Sequence, residues 1–501
     1  MATKLLMLVI FFAIMVSVGI YARKHATSVD GYVLGGRSVG PWLTAFAYGT
    51  SYFSAVVFVG YAGQFGWKYG LASTWIGLGN AIIGSLLAWV VLGRRTKVMT
   101  QHLNSKTMPD FFGERYESKA LKITASAIVF IFLVPYTASV YNGLSRLFGM
   151  AFNIPYKYCV IGMAVFTGIY VILGGYMATA INDFIQGIIM LGGIVAVILA
   201  VLNGQGGFIQ AIKTMAEIPS DVPVTMGQPG AFTSFFGPDP LNLLGVVILT
   251  SLGTWGLPQM VTKYYAVKEG KAIKQATIVS TLFCFVIGAG AYTAGSCSRL
   301  ILGNTLPEAG YDGVIPQMLI KALGGGTFTI IILAVIIILL FSASMSTLSG
   351  IVLSSSSAIS VDLAPQIKKG FGGKPQMLMT RILCLVFIAC SFIFATLNIS
   401  IIVNIMSFSW GVVAGCFIGP YVWGIFSRGT TKAGAFAGMI GGFLTVAIPT
   451  VVITCSSGFP AAVGNAAGLG VLAMAVSFVI VPIVSSFTKK FDSEFIDTVF
   501  K

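Results

Sequence analysis

Residues 341–357 read FSASMSTLSGIVLSSSS, directly after the apolar run IIILAVIIILL, and nine of these seventeen side chains carry a hydroxyl. Ala343, Ser346 and Thr347 are spaced i, i+3, i+4 and share one helical face. A dehydrated sodium ion is a small hard cation, and hard cations prefer oxygen ligands. Two adjacent hydroxyls and one backbone carbonyl on that face offer three, and an unwound stretch of a facing helix would offer more. The same pattern also suits a Ser/Ala/Gly face built for close helix packing, with hydroxyls bonded back to the i−4 carbonyl. Asp183, in TAINDFIQGIIML, is the one acidic residue in the interior of an apolar span. An intramembrane carboxylate is costly and points to function, while a cap at a helix start reached by water is the alternative.

The elements that must position these groups are spans. The chain of 501 residues is 56% apolar and 9% charged, against about 25% charged in soluble domains. Apolar stretches near the roughly 20 residues a bilayer requires recur along it, at about 4–21, 41–66, 70–93, 120–148, 156–174, 180–202, 241–262, 273–298, 325–361, 379–398, 400–426, 433–454 and 467–487. The reading is an all-α polytopic membrane protein of about thirteen transmembrane helices. No alternating segments of barrel type occur. Charge +15 does not indicate nucleic acid, because the Lys and Arg cluster between spans. With the N-terminus outside and the C-terminus cytoplasmic, the cytoplasmic segments hold 23 Lys/Arg, among them Lys97, Lys263, Lys268, Lys271, Lys368, Lys369 and Arg428. The outer ones hold six: Lys4, Lys68, Lys157, Lys213, Arg299 and Lys321. That asymmetry follows the positive-inside rule.

The segment 203–240 is Gly- and Pro-rich and separates two five-span blocks, 41–202 and 241–427. Residues 1–40 form a leading helix and loop, and 428–501 two trailing helices with a tail. Each block opens on a poor continuous helix former, YGTSYFSAVVFVGYAGQFG (48–66) and LTSLGTWGLPQM (249–260). Interrupted helices at matching positions of two halves point to a transporter with inverted repeats. Enzyme chemistry has little footing. His25 and His102 lie outside the spans, the seven cysteines include no CxxC pair, and one buried carboxylate makes no acid/base pair. A solute sensor on a transporter fold, and proton coupling through Asp183, stay open at this point.

GYVLGGRSVGPW (31–42), YVILGGYMATAINDFIQ (170–186), TWGLPQM (254–260), SASMSTLSG…SVD (342–362) and RGTTKAGAFAGMIGG (428–442) together resemble the sodium:solute symporter family, which includes sodium/proline, sodium/pantothenate and sodium/glucose cotransporters. The resemblance implies a LeuT-type 5+5 inverted repeat in the lipid bilayer, alternating access, Na+ as the coupling ion and no organic cofactor. It implies a main sodium site of backbone oxygens of Thr50, Phe53 and Ala343 with the hydroxyls of Ser346 and Thr347. A second sodium would use Asp183, Ser346 and Ser349, where Gly350 replaces a serine of the sialic acid branch. The solute would lie near Tyr52, Ser54, Val57, Thr254 and Trp255, with Tyr136 and Ser407 as walls or gates and Asn80 at its edge. The proline branch has an aspartate where Tyr52 stands, and the sialic acid branch an arginine near Tyr136. The expectation is import of a small carboxylate-bearing solute (an amino acid such as proline, pantothenate or a monocarboxylate), with sugars and polyols as alternatives. A monomer suffices for that function.

Overall fold

The computed structural model describes residues 2–152, 155–323, 327–367, 370–397 and 399–500. Lys368 and Lys369 lie outside the described residues, as do the side chains of Lys4 and Cys159. With no water in hydrocarbon to pair with backbone groups, long apolar segments close their hydrogen bonds as helices. The principal ones are α1 (Ala2–Ala22), α2 (Pro41–Tyr52), α3 (Ala62–Tyr69, entered through π-helical turns at Val56–Tyr61) and α4, which opens at Thr74–Ala81 and runs on through π-helical turns to His102. There follow α5 (Lys119–Phe152), α6 (Tyr156–Asn203), α7 (Pro240–Leu252), α8 (Pro258–Ala266) and α9 (Lys271–Ser296). The chain continues with α10 (Thr327–Ser357), α11 (Gly373–Thr396), α12 (Ile402–Phe426), α13 (Lys432–Ser457) and α14 (Ala466–Phe487).

Among the described residues, ten helical segments are long and apolar enough to cross a membrane, or eleven if the bent pair α7–α8 is one span. Two of the ten, Val56–His102 and Val160–Asn203, run 47 and 44 residues. At 1.5 Å per residue each is about twice the ~30 Å of a hydrocarbon core. Both are interrupted at a glycine in positive φ. Gly70 (φ 57°) parts α3 from α4, and a Cβ there would stand 2.2 Å from the Phe232 carbonyl oxygen. Gly175 (φ 55°, ψ −147°) bends α6, and a Cβ there would stand 2.6 Å from the Tyr32 carbonyl oxygen. Side chains such as Val90, Ile188, Leu199, Val451 and Phe487 are exposed, as lipid-facing residues are. The strongly buried helices are α10 and α12.

α10 packs against α6, α5 and α2, while α2 also packs on α6 and α9. α12 is enclosed by α5, α13 and α14. The 203–240 segment holds one short α-helix, Phe208–Ala216, and two 3₁₀ turns, and is tied to the bundle by Asp221, whose carboxylate accepts from Arg299 at 2.7 Å. On another face, Val39 forms a parallel bridge with Val267, and Lys97 Nζ donates to the carbonyls of Arg37 and Tyr265. Lys97 is buried, although its sequence context is that of a solvated basic loop.

Asp312, outside the spans, starts α12. Both its carboxylate oxygens accept from the Ile402 N–H, at 3.3 and 3.4 Å. Burial pushes its carboxyl up to about 6, against the opposing pull of that N–H and of Arg146. A carboxyl raised in the folded state binds its proton more tightly folded than unfolded, so its contribution to stability falls as pH rises from about 4 to about 6. At about 1.4 kcal/mol per pKa unit, roughly two units bound the effect near ~3 kcal/mol. Asp312→Asn keeps an acceptor for Ile402 and carries no charge. The expected outcome is a higher apparent unfolding temperature for this variant at pH 7, the difference shrinking towards pH 4. A constant difference across that range would refute the assignment.

Candidate functional site

α2 ends where Phe53 turns extended (φ −108°, ψ 96°), and the helix restarts at Ala55 after Ser54. Ser54 Oγ accepts from Val56 N–H at 3.2 Å, and the Ser54 carbonyl accepts from Val57 N–H at 3.0 Å. The break removes the helical donors that the Thr50 and Ser51 carbonyls would otherwise meet, and unpaired backbone groups in hydrocarbon cost several kcal/mol each. α10 faces them. Thr347 Oγ1 lies 3.4 Å from the Thr50 carbonyl oxygen, 3.3 Å from that of Ser51 and 3.1 Å from that of Ala343. A hydroxyl has one proton to donate, so three carbonyls share a single donor. Ser346 Oγ donates to Thr50 Oγ1 at 2.7 Å, and Thr50 Oγ1 donates to the Phe46 carbonyl at 2.7 Å. All of these residues are buried. The outcome is a nest of oxygen atoms with more lone pairs than protons, suited to a small dehydrated cation.

Thr50, Ala343, Ser346 and Thr347 therefore come together. Phe53 stands at the break, with its N–H returned to the Gly49 carbonyl at 3.3 Å. Ser51, which the sequence reading does not name, contributes a carbonyl in its neighbourhood. Asp183 is also fully buried, two turns beyond the bend at Gly175 and therefore not a helix cap. Neither of its oxygens accepts a hydrogen bond among the described residues, and Lys263 Nζ of α8 stands 3.6 Å from Oδ2. Lys263 is 2% exposed, so it is a buried partner and not part of a solvated basic loop. Removing one member of a buried pair costs about 3–5 kcal/mol. Ser349 Oγ donates to the Ser346 carbonyl at 2.8 Å.

The second break lies between α7 and α8. A 3₁₀ turn at Gly253–Gly256 leads into Leu257, whose backbone is extended, and Pro258 starts α8 at a bend of 48°. Two tyrosines of α2 reach across towards this region. Tyr52 donates to the Thr250 carbonyl at 2.6 Å, and Tyr48 donates to the Gly84 carbonyl at 2.5 Å. Thr254 donates to the Ser251 carbonyl at 2.8 Å, Ser251 to Asn80 Oδ1 at 3.2 Å, and the Trp255 indole to the Ile83 carbonyl at 3.0 Å. Thr254 Oγ1 also lies 3.3 Å from the Gly84 carbonyl, so Thr254, Trp255 and Asn80 all stand where α7 meets α4. The Trp255 ring packs beside Leu249, Ala414 and Ile418.

Tyr52 and Tyr136 meet instead around Trp410 of α12, which the sequence reading passes over. The Tyr136 and Trp410 rings stand edge-to-face at 5.7 Å, and Tyr52 lies 6.4 Å from Trp410. The Tyr136 hydroxyl and the Trp410 indole N–H are buried and stand near each other and near Ser54, in none of these cases with the geometry of a full hydrogen bond. Val57 is buried in the π-helical turns that follow the break. Tyr61 and Ser407 are hydrogen-bonded at 2.8 Å, joining α12 to the same turns. Ser407 borders a cavity of about 630 Å³, also lined by Gln64, Trp67, Arg299 and Asn404.

The sodium:solute symporter family model matches residues 32–442. A sodium/proline symporter of Staphylococcus aureus (strain JH9) is 28% identical over 458 residues, covering 88% of this chain and 85% of that protein. A solved Na+-coupled sialic acid symporter, in a substrate-bound outward-open state, superposes with a TM-score of 0.77 at 18% identity, over 97% of this chain and 98% of that one. A manganese transporter of Eremococcus coleocola gives a TM-score of 0.55 at 13% identity, over 89% and 95%. The last two likenesses speak to the fold, which is that of membrane transporters built on interrupted helices. With its model matched over most of the length, the chain belongs to the sodium:solute symporter family.

Proposed function

We propose that this chain is a Na+-coupled symporter that imports a small carboxylate-bearing solute by alternating access across a plasma membrane. The observation that carries the reading is the oxygen nest at the first break, where Thr347 offers one proton to the carbonyls of Thr50, Ser51 and Ala343. An ion there bridges α10 to α2 and favours whichever conformer holds them together, since a ligand shifts an equilibrium by its differential affinity. Treating each over-long apolar segment as two spans and the bent pair as one returns thirteen spans. The N-terminus is then outside, 203–240 is an external loop, and the repeats are 41–202 and 241–427.

The solute class rests on the buried donors of Tyr136 and Trp410, which lie close to each other and to Ser54 at the start of the helix at Ala55 without a well-formed hydrogen bond between them. A helix N-terminus favours negative charge, and two buried donors free to turn from their loose mutual contact supply the hydrogen bonds a carboxylate needs. The sodium/proline relative is consistent with such a solute. The 630 Å³ cavity is the outer vestibule, and the Tyr61–Ser407 bond is the latch beneath it. Energetically, ~100 mV supplies about 2.3 kcal/mol per charge and a tenfold Na+ gradient about 1.4. One ion therefore supports accumulation of roughly several hundred-fold.

Uptake into liposomes by the purified chain tests the reading directly, with radiolabelled amino acids, monocarboxylates, pantothenate and sugars under a Na+ gradient, a proton gradient or neither. Accumulation of a carboxylate with Na+ alone is expected; Na+-dependent binding without flux would make the chain a sensor. A hydrogen bond to a charged group contributes about 1.5–3 kcal/mol. Ser346→Ala and Thr347→Ala should therefore each raise the Na+ concentration for half-maximal uptake about tenfold or more, with membrane abundance within about twofold of the parent. A parallel loss of abundance would assign these hydroxyls to packing. Trp410→Phe keeps the ring and removes the donor; it should raise the solute KM by about tenfold and leave the Na+ dependence in place. An unchanged KM would remove Trp410 from the solute site.

A further inference from the structure

Asp183 is the buried carboxylate to which a second sodium would bind if the chain took two. Its surroundings say otherwise. Lys263 Nζ stands 3.6 Å from Asp183 Oδ2, with the two side chains 2% and 0% exposed. Of the hydroxyls nearby, Ser349 donates to the Ser346 carbonyl at 2.8 Å, and Ser346, although it also stands close to Asp183, donates to Thr50 Oγ1 at 2.7 Å. Gly350 brings no oxygen, although a Cβ there would meet nothing closer than Ser51 Oγ at 3.6 Å. A serine would fit, so space does not explain the glycine.

We propose that Lys263 supplies, as a tethered ammonium, the positive charge at Asp183 that a second sodium ion would otherwise bring, so that the chain binds one sodium ion. A metal ion entering beside Asp183 would meet a like charge in a low-dielectric interior, and one carboxylate does not neutralise two cations there. The ammonium also lies over the Tyr176 ring, 5.2 Å from its centroid. It is carried on α8, the half-helix after Pro258, whereas Asp183 is carried on α6. The pair therefore links the second broken helix to the helix behind the main sodium nest. Gln259, one turn earlier on the same face as Lys263, is buried with both amide atoms unpartnered. An oxygen ligand is thus at hand once the ammonium is removed. This inference rests on the sodium nest described under the proposed function.

Equilibrium binding of ²²Na+ to the purified full chain, in nanodiscs and without solute, tests it. The parent is expected to bind one ion per chain with a Hill coefficient near 1. Lys263→Met should bind two, with a Hill coefficient above 1 and approaching 2, whereas Lys263→Arg should stay at one. A purely structural strut predicts that the Met variant stays at one ion or loses affinity, and either result overturns the proposal. Two ions on the parent overturn it as well. No ion on the parent would instead sink the sodium reading itself. Should Lys263→Met not fold, the charge-neutral double variant Lys263→Met/Asp183→Asn decides. One ion with affinity within about threefold of the parent upholds the proposal, and a loss beyond tenfold makes Asp183 a ligand of the coupling ion and refutes it.

Discussion

The structure turns on backbone carbonyls left without donors inside hydrocarbon. Breaking α2 at Phe53 costs the Thr50 and Ser51 carbonyls their helical partners, and lipid supplies none. An ordinary helix pair would not tolerate this. Here the facing helix carries hydroxyls at 346 and 347, and Thr347 reaches both carbonyls while still touching its own Ala343 carbonyl. The compensation is partial by construction, because one proton cannot serve three acceptors. The shortfall leaves oxygen lone pairs of the kind a hard cation takes as ligands. A fully satisfied network would be more rigid and would leave nothing for an ion to do.

Around this shortfall the two broken helices are held as one body. Tyr52 bonds the Thr250 carbonyl, and both Tyr48 and Thr254 reach the Gly84 carbonyl. These bonds run from α2 to α7 and to α4, and none depends on the oxygens at the nest. α10, by contrast, meets α2 at the nest largely through hydroxyl contacts of 2.7–3.4 Å, the kind an ion strengthens. The division suits a rocking mechanism. On the proposed function, the pair of interrupted helices moves as a unit, and its contact with α10 is the one an ion would reinforce.

The oxygen nest was legible in the sequence because its cause is local. The i, i+3, i+4 spacing of Ala343, Ser346 and Thr347 fixes a shared face, and the glycines, hydroxyls and proline of 48–66 and 249–260 mark where helices cannot run on. Lys263 was not legible. It precedes Lys268, Lys271 and Lys274, so in one dimension it reads as one more basic residue of a loop. Only the turn of α8 after Pro258 carries it inward to a carboxylate 80 positions away. Trp410 was hidden for a different reason. α12 is apolar on all sides and almost wholly buried, so periodicity singles out no face. Trp255 illustrates the converse. The sequence places it on the correct interrupted helix, yet its indole is committed to the Ile83 carbonyl, a long-range pairing no local pattern encodes. The sequence reading parts its spans at 66/70 and at 174/180, and at both places a glycine in positive φ, Gly70 and Gly175, interrupts the backbone.

A tethered cation differs from a bound one in what it does to the energetics of a cycle. A sodium ion that enters on one side and leaves on the other carries its charge across the membrane potential, at about 2.3 kcal/mol per 100 mV. The ammonium of Lys263 stays with α8, so it neutralises Asp183 in every conformer where the pair persists and adds no net charge to the cycle. It also adds no dependence on a second sodium concentration. Burying such a pair is not cheap, because desolvation of both charges must be offset by their mutual attraction. Two apolar side chains would pack the same space at lower cost. The fold's retention of the pair therefore has to be argued from coupling: a contact between α6 and α8 that is strong when made and costly when half-broken holds two arrangements apart. Alternating access needs such a discrete choice between states, and on the proposed function the oxygen nest between α2 and α10 is where an ion would bias it.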